Sequence, residues 1–158
     1  MSNLKLPDDM EAVFRLEYRN AFAERYAINV HGHGRKGWFV ANRGAQTSGL
    51  QPMTKGQWRT FLNLIVQAGF WELPSDIPRP DNFEMDDGES ICLMGRDMEK
   101  SHHINRFWTI EPAILRICLW MRTLSGLFPE HHLPRPVVEQ EIADSIPHID
   151  ETNDAQQE

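Results

Sequence analysis

Gln57 to Pro74 reads QWRTFLNLIVQAGFWELP, and this stretch decides the fold. Trp58, Phe61, Leu62, Ile65 and Phe70 recur at spacings of three, four and five, close to the period of a helix with one apolar face. Leu64 and Val66 widen that stripe, which places the helix beneath a sheet rather than on an open surface. Thr54 is the expected N-cap, because its hydroxyl can accept an orphan N–H of the first turn. Gly69 supplies the left-handed residue that ends a helix, and Pro74 forbids its resumption. Between them Phe70, Trp71 and Leu73 form an aromatic plug that folds back on the core.

Outward from this helix, both flanks read as strands. Ala12 to Arg19 (AVFRLEYR) sets Phe14, Leu16 and Tyr18 against Val13, Arg15, Glu17 and Arg19, the period of a strand with one dry face. Arg25 to His33 alternates again, with Tyr26, Ile28 and Val30 on one side. Residues 20–24 fit a hairpin connection and a continued bent strand equally well. Gly34 to Gly37 makes a turn, Trp38 to Ala41 a third short strand, and Asn42 to Pro52 a polar loop. After the helix comes the acidic, proline-containing stretch 75–88, with the hairpin-type dipeptide Asp87-Gly88. Strands at Glu89–Gly95 and Lys100–Trp108 follow. Thr109-Ile110-Glu111-Pro112 starts a second helix, with Thr or Glu as cap and proline in the first turn. That helix carries Ile114, Ile117, Cys118, Met121 and Leu124 on one face and ends at Gly126.

The order βββαββα implies an α+β domain: an antiparallel sheet of about five strands with two amphipathic helices packed on one face. Trp58, Phe61, Ile65, Ile114, Ile117 and Met121 are the expected core where helices meet sheet. The 158 residues divide into a domain over 1–135 and an acidic tail over 136–158, with a short acidic helix at 137–146 and disorder beyond. The net charge of −7 lies wholly in that tail, since residues 1–135 hold all 16 Lys and Arg and 16 of the 23 acids. The balanced body lacks a basic nucleic-acid footprint. No apolar run reaches membrane-spanning length, and the first residues lack the basic-then-apolar order of a signal peptide, so the chain is placed in the cytosol. Cys92 and Cys118 sit in apolar segments and are expected to be buried thiols.

Candidate chemistry is sparse. His31 and His33 end one strand, and His102 and His103 lie on another; these four are the candidate metal ligands of a small metal-dependent enzyme, although no known ligand spacing is matched. No other cofactor is implied. The turn HGHGRKG has glycines and charge but neither phosphate-binding fingerprint, and reads as a plain hairpin turn. No serine has nucleophile-elbow context. Asp81, Glu84, Asp86, Asp87 and Glu89 miss the EF-hand spacing and read instead as a charged surface, the expected partner-binding patch. The weight of these observations favours a binding protein over an enzyme.

Gly69-Phe-Trp-Glu-Leu-Pro74, then Asp87-Gly88, then His103-x-x-Arg106-Phe-Trp108-x-x-x-Pro112 resembles a group of small, uncharacterised bacterial proteins. The resemblance spans roughly residues 57 to 128 and departs at Phe107, which shifts the aromatic pair, and at the short strand after the DG turn. It implies Trp71 and Trp108 in the core and Arg106 as a buried partner for a carboxylate or carbonyl. Proteins of this sort are often encoded beside secreted toxins, so the resemblance implies an immunity or inhibitor protein that neutralises a basic toxin or effector through acidic surface. Residues 147–158 offer almost nothing apolar to bury. A chain ending at Ser145 is expected to melt with the full-length protein in a thermal scan; a clear fall would move the domain boundary.

Overall fold

The computed structural model describes residues 10–20, 24–79, 81, 90–107 and 109–128. Seven strands form one antiparallel sheet: β1 (Ala12–Arg19), β2 (Arg25–His33), β3 (Lys36–Arg43), β4 (Gln46–Thr47), β5 (Gln51–Met53), β6 (Ser90–Asp97) and β7 (Ser101–Arg106). Helix α1 (Lys55–Gln67) follows β5, and helix α2 (Pro112–Ser125) closes the described chain. The strand order is β4-β3-β2-β1-β6-β7, with β5 also paired to β3. The expected α+β architecture is therefore present, with both helices on one face.

The outer edge of β3 departs from expectation. The polar stretch expected as a loop returns twice to that edge, β4 beside Asn42 and Arg43 and β5 beside Gly37 to Phe39. The reason is the length of β3, which runs from Lys36 to Arg43 and would otherwise leave a long row of unpaired peptide groups. The open choice at residues 20–24 is resolved as a hairpin: β1 and β2 pair in register from Ala12↔Gly32 to Arg19↔Arg25.

Alternation along the strands sends Phe14, Leu16, Ile28, Val30, Phe39, Leu93 and Ile104 into the core beneath the helices. All six expected helix residues are buried there as well. Val66 is not: it is 73% exposed, because one step beyond Ile65 turns a side chain about 100° out of the apolar stripe. Thr54 caps α1 as expected, in a full capping box with Gln57. Gly69 and Gly126 stop the two helices at positive φ of 63° and 71°. Glu111 occupies the N-cap position of α2 but makes no side-chain cap; its carboxylate is used elsewhere.

Two glycines in the turn region have a role beyond turning the chain. Gly32 and Gly37 are cross-strand partners, and the indole of Trp58 lies directly on them. A Cβ on Gly32 would fall onto that ring, while Trp58 Nε1 donates to the Gly34 carbonyl at 3.2 Å. The hairpin thus forms a flat seat for the first turns of α1. Gly32→Ala is expected to destabilise the protein by about 1–3 kcal/mol in a denaturant titration, through displacement of Trp58. Phe61→Ala, which empties a fully buried site, should cost about 3–5 kcal/mol.

Candidate functional site on the open face of the sheet

Because α1 and α2 share one face, the alternate residues of the strands form a second face on which no described helix lies. The register orders it in rows. Trp38, His31, Val13, Arg96 and Ser101 make one row across β3, β2, β1, β6 and β7. Val40, Asn29, Arg15, Met94 and His103 make the next, then Asn42, Ala27, Glu17, Cys92 and Asn105. Arg25, Arg19 and Ser90 close that end.

The face is apolar toward the Trp38 end, carries Arg15 and Glu17 in its middle rows, and is basic at the Arg19 end. Val13 and Met94 are buried on it, flanked in their rows by His31 and Arg96 and by Arg15 and His103. Trp38 is half-buried and stacks on His31, with ring centroids 6.1 Å apart and planes within 19°. Arg15 donates to Glu17 at 2.6 Å, and His33 Nδ1 lies 3.4 Å from Glu11 at the far rim. The Cys92 thiol is pushed up to about 11, chiefly by desolvation and then by Glu17, against the opposing charges of Arg15 and Arg19. Cys118, in the core, is pushed up to about 12 by burial. Neither thiol is a ready nucleophile at neutral pH.

The four candidate histidines do not converge. His31, His33 and His103 belong to the open face, but β1 and β6 lie between β2 and β7, a separation of about 14 Å at ordinary strand spacing. His102 points to the opposite face, where its Nε2 donates to the Leu73 carbonyl at 2.8 Å and its ring meets Phe70 edge-on. One zinc ion needs all its donors within about 2 Å, so these four cannot form one centre. Among the described residues no three of His, Cys, Asp and Glu are grouped to hold a metal. His102 is a structural residue that pins the aromatic plug. Of the expected acidic patch, Asp81 is exposed. Glu84, Asp86, Asp87 and Glu89 lie outside the described residues, as do Trp108, the DG turn and the whole of 129–158.

The resemblance's buried arginine is in place. Arg106 has a fully buried side chain and donates from Nε and Nη2 to the two Glu111 oxygens, at 2.7 and 2.9 Å. Its Nη1 and Nη2 also reach the carbonyls of Ser75, Asn105 and Pro74. One guanidinium thereby joins the plug's exit, β7 and the start of α2. Trp71, expected in the core, is only half-buried and packs on its margin, against Phe14 and Phe70.

The basic open face is the feature that sequence reading missed. Arg15 and Arg19 were visible as the wet side of a period-two strand, but their alignment with Arg25 and Arg96 depends on register. Compared with protein-family models, curated proteins and solved structures, the chain matches none.

The Glu111 carboxyl is held below its usual range by the Arg106 hydrogen bonds, against the opposing effect of desolvation. A depressed carboxylate contributes stability at neutral pH, and that contribution is lost as pH falls below 4.5 through the lowered value. Glu111→Gln should cost about 1.5–3 kcal/mol at pH 7 and flatten this acid limb of the melting-temperature profile. An unchanged acid limb would show that the pair is not the source.

Proposed function

We propose that the protein is a protein-binding module whose interaction surface is the open face of its sheet. The observation that carries this reading is the composition of that face. A stacked Trp38–His31 pair shares its row with the buried Val13 and with Arg96, the next row holds Met94 and Arg15, and Arg19 and Arg25 stand at the opposite end of the same face. Tryptophan, methionine and arginine are the side chains enriched where protein partners meet, and Trp and Arg supply most binding hot spots.

In its finer form the reading is an immunity or inhibitor protein that neutralises a toxin or comparable effector. Two features support it. The acidic stretch from Asp81 to Glu89 leads in sequence directly into Ser90, which pairs with Arg19 at the end of the open face. Acids so close in sequence to the face steer a basic partner toward contact. A chain that carries both an acidic stretch and a basic sheet face also selects against partners of uniform charge.

The test is capture of the partner from the native host, followed by binding measurements at low and high salt. Trp38→Ala is expected to weaken binding by tenfold or more, and Asp86→Lys with Asp87→Lys to weaken it further and reduce its salt dependence. Both variants should keep the parent melting temperature within a few degrees. An affinity that ignores Trp38→Ala as well as the charge reversal overturns the reading.

A further inference from the structure

The end of the open face near the β1–β2 hairpin holds an arrangement that the partner reading does not require. Arg19 on β1 stands directly opposite Arg25 on β2, and Arg15 lies on the same face of β1. Like charges opposite one another on a sheet destabilise it. Of the nearby acids, Glu17 accepts from Arg15 at 2.6 Å, Glu24 accepts from Arg43 at 2.9 Å, and Asp76 accepts from the Asn105 amide at 3.4 Å. Arg19 and Arg25 are both exposed. A cavity of about 690 Å³ opens here, its polar lining including these three arginines and Glu17 together with Asn42, Ser90 and Asn105, with Cys92 beside them. That volume lies within the range of small-molecule sites, about 300–1,000 Å³.

We propose that this corner is a binding site for a small ligand bearing a doubly charged oxyanion, a phosphate ester or a dicarboxylate. A guanidinium presents paired N–H donors in a plane that matches such oxygens two at a time. Arg19 and Arg25 converge on the anion from neighbouring strands, and its charge relieves their mutual repulsion. The amide of Asn42 and the hydroxyl of Ser90 are neutral groups suited to the remainder of the ligand. Their positions on strands hold the donors on a rigid frame, so little order is lost on binding. The site goes beyond the protein-partner reading and stands or falls without it.

Cys92 supplies the readout, because it lines the cavity whereas Cys118 is buried in the core, and alkylation is followed at alkaline pH, where enough of the raised Cys92 thiol ionises to react. The full-length protein is treated with a thiol-alkylating reagent in the presence of inorganic pyrophosphate, of succinate, or of chloride at equal ionic strength, and binding is measured in parallel by calorimetry. Pyrophosphate is expected to slow Cys92 alkylation several-fold relative to chloride; slowing by pyrophosphate alone assigns phosphate ligands, and slowing by succinate as well assigns oxyanions generally. Arg19→Gln with Arg25→Gln should abolish the protection and weaken binding at least tenfold, without lowering the melting temperature. If neither anion binds, or if protection survives in the double variant, the proposal is overturned. Binding that appears only after the seven acids of 136–158 are replaced by their amides identifies the chain's own acidic end as the occupant, which also overturns it.

Discussion

Phe14 is the contact on which the rest of the structure depends. It stands on β1, the strand that joins the two halves of the sheet by pairing with β2 on one side and β6 on the other. Its ring lies 5.2 Å from Phe61 of α1, 6.1 Å from Phe70 and 5.9 Å from Trp71. The edge-on and tilted geometries suit the aromatic quadrupole and contribute beyond buried area alone. Gly95, opposite Phe14 on β6, leaves the room that these rings need, since a Cβ there would stand 2.7 Å from Phe14 and 2.8 Å from Phe70. The sheet's middle, the central helix and the plug after it are thereby fixed by one residue. Because these contacts join segments distant in sequence, they reinforce one another only once the hairpins have formed.

With the helices committed to the Phe14 side, charge is distributed in a way that totals conceal. The body is neutral in sum, but its open face gathers arginines on β1, β2 and β6. The acids concentrate between 81 and 89 and beyond 136. Other arginines are spent on packing. Arg122 is buried against Tyr26 and Phe128, and Arg43 lies over Phe128 from 4.4 Å while donating to the Leu127 carbonyl. Cations against ring faces keep their charge while covering apolar surface. On the open face Arg15 is instead engaged by Glu17, at 2.6 Å.

The elements were legible in the sequence where one local rule decided them. Period-two alternation located β1 and β2, Thr54 and Gly69 bounded the central helix, and Pro112 and Gly126 bounded α2. β4 and β5 were not legible, because two- and three-residue strands carry no periodicity and exist only as partners for the edge of β3. The exposure of Val66 shows the limit of reading a stripe by composition, since an apolar residue out of phase is still out of phase. The candidate site was less visible still. Paired histidines attracted attention by type, while the arginines that meet across β1 and β2 are separated in sequence by the hairpin. Choosing the hairpin for residues 20–24 would have placed Arg19 opposite Arg25 without further information.

Arg106 has a consequence for the evolution of the chain. By holding the Pro74 and Ser75 carbonyls, while β6 pairing holds Ser90, the fold ties the described residues on either side of the acidic stretch to the sheet. The Asn105 N–H adds a second tie to Ser75 at 2.7 Å. The entropy of closing that loop is set by its anchors, and each doubling of its length adds only about 0.6 kcal/mol. A change of length or charge between those anchors therefore costs the domain little. A scaffold built in this way separates inheritance of the fold from variation of the stretch between its anchors, so that sequence change can accumulate there without refolding the domain.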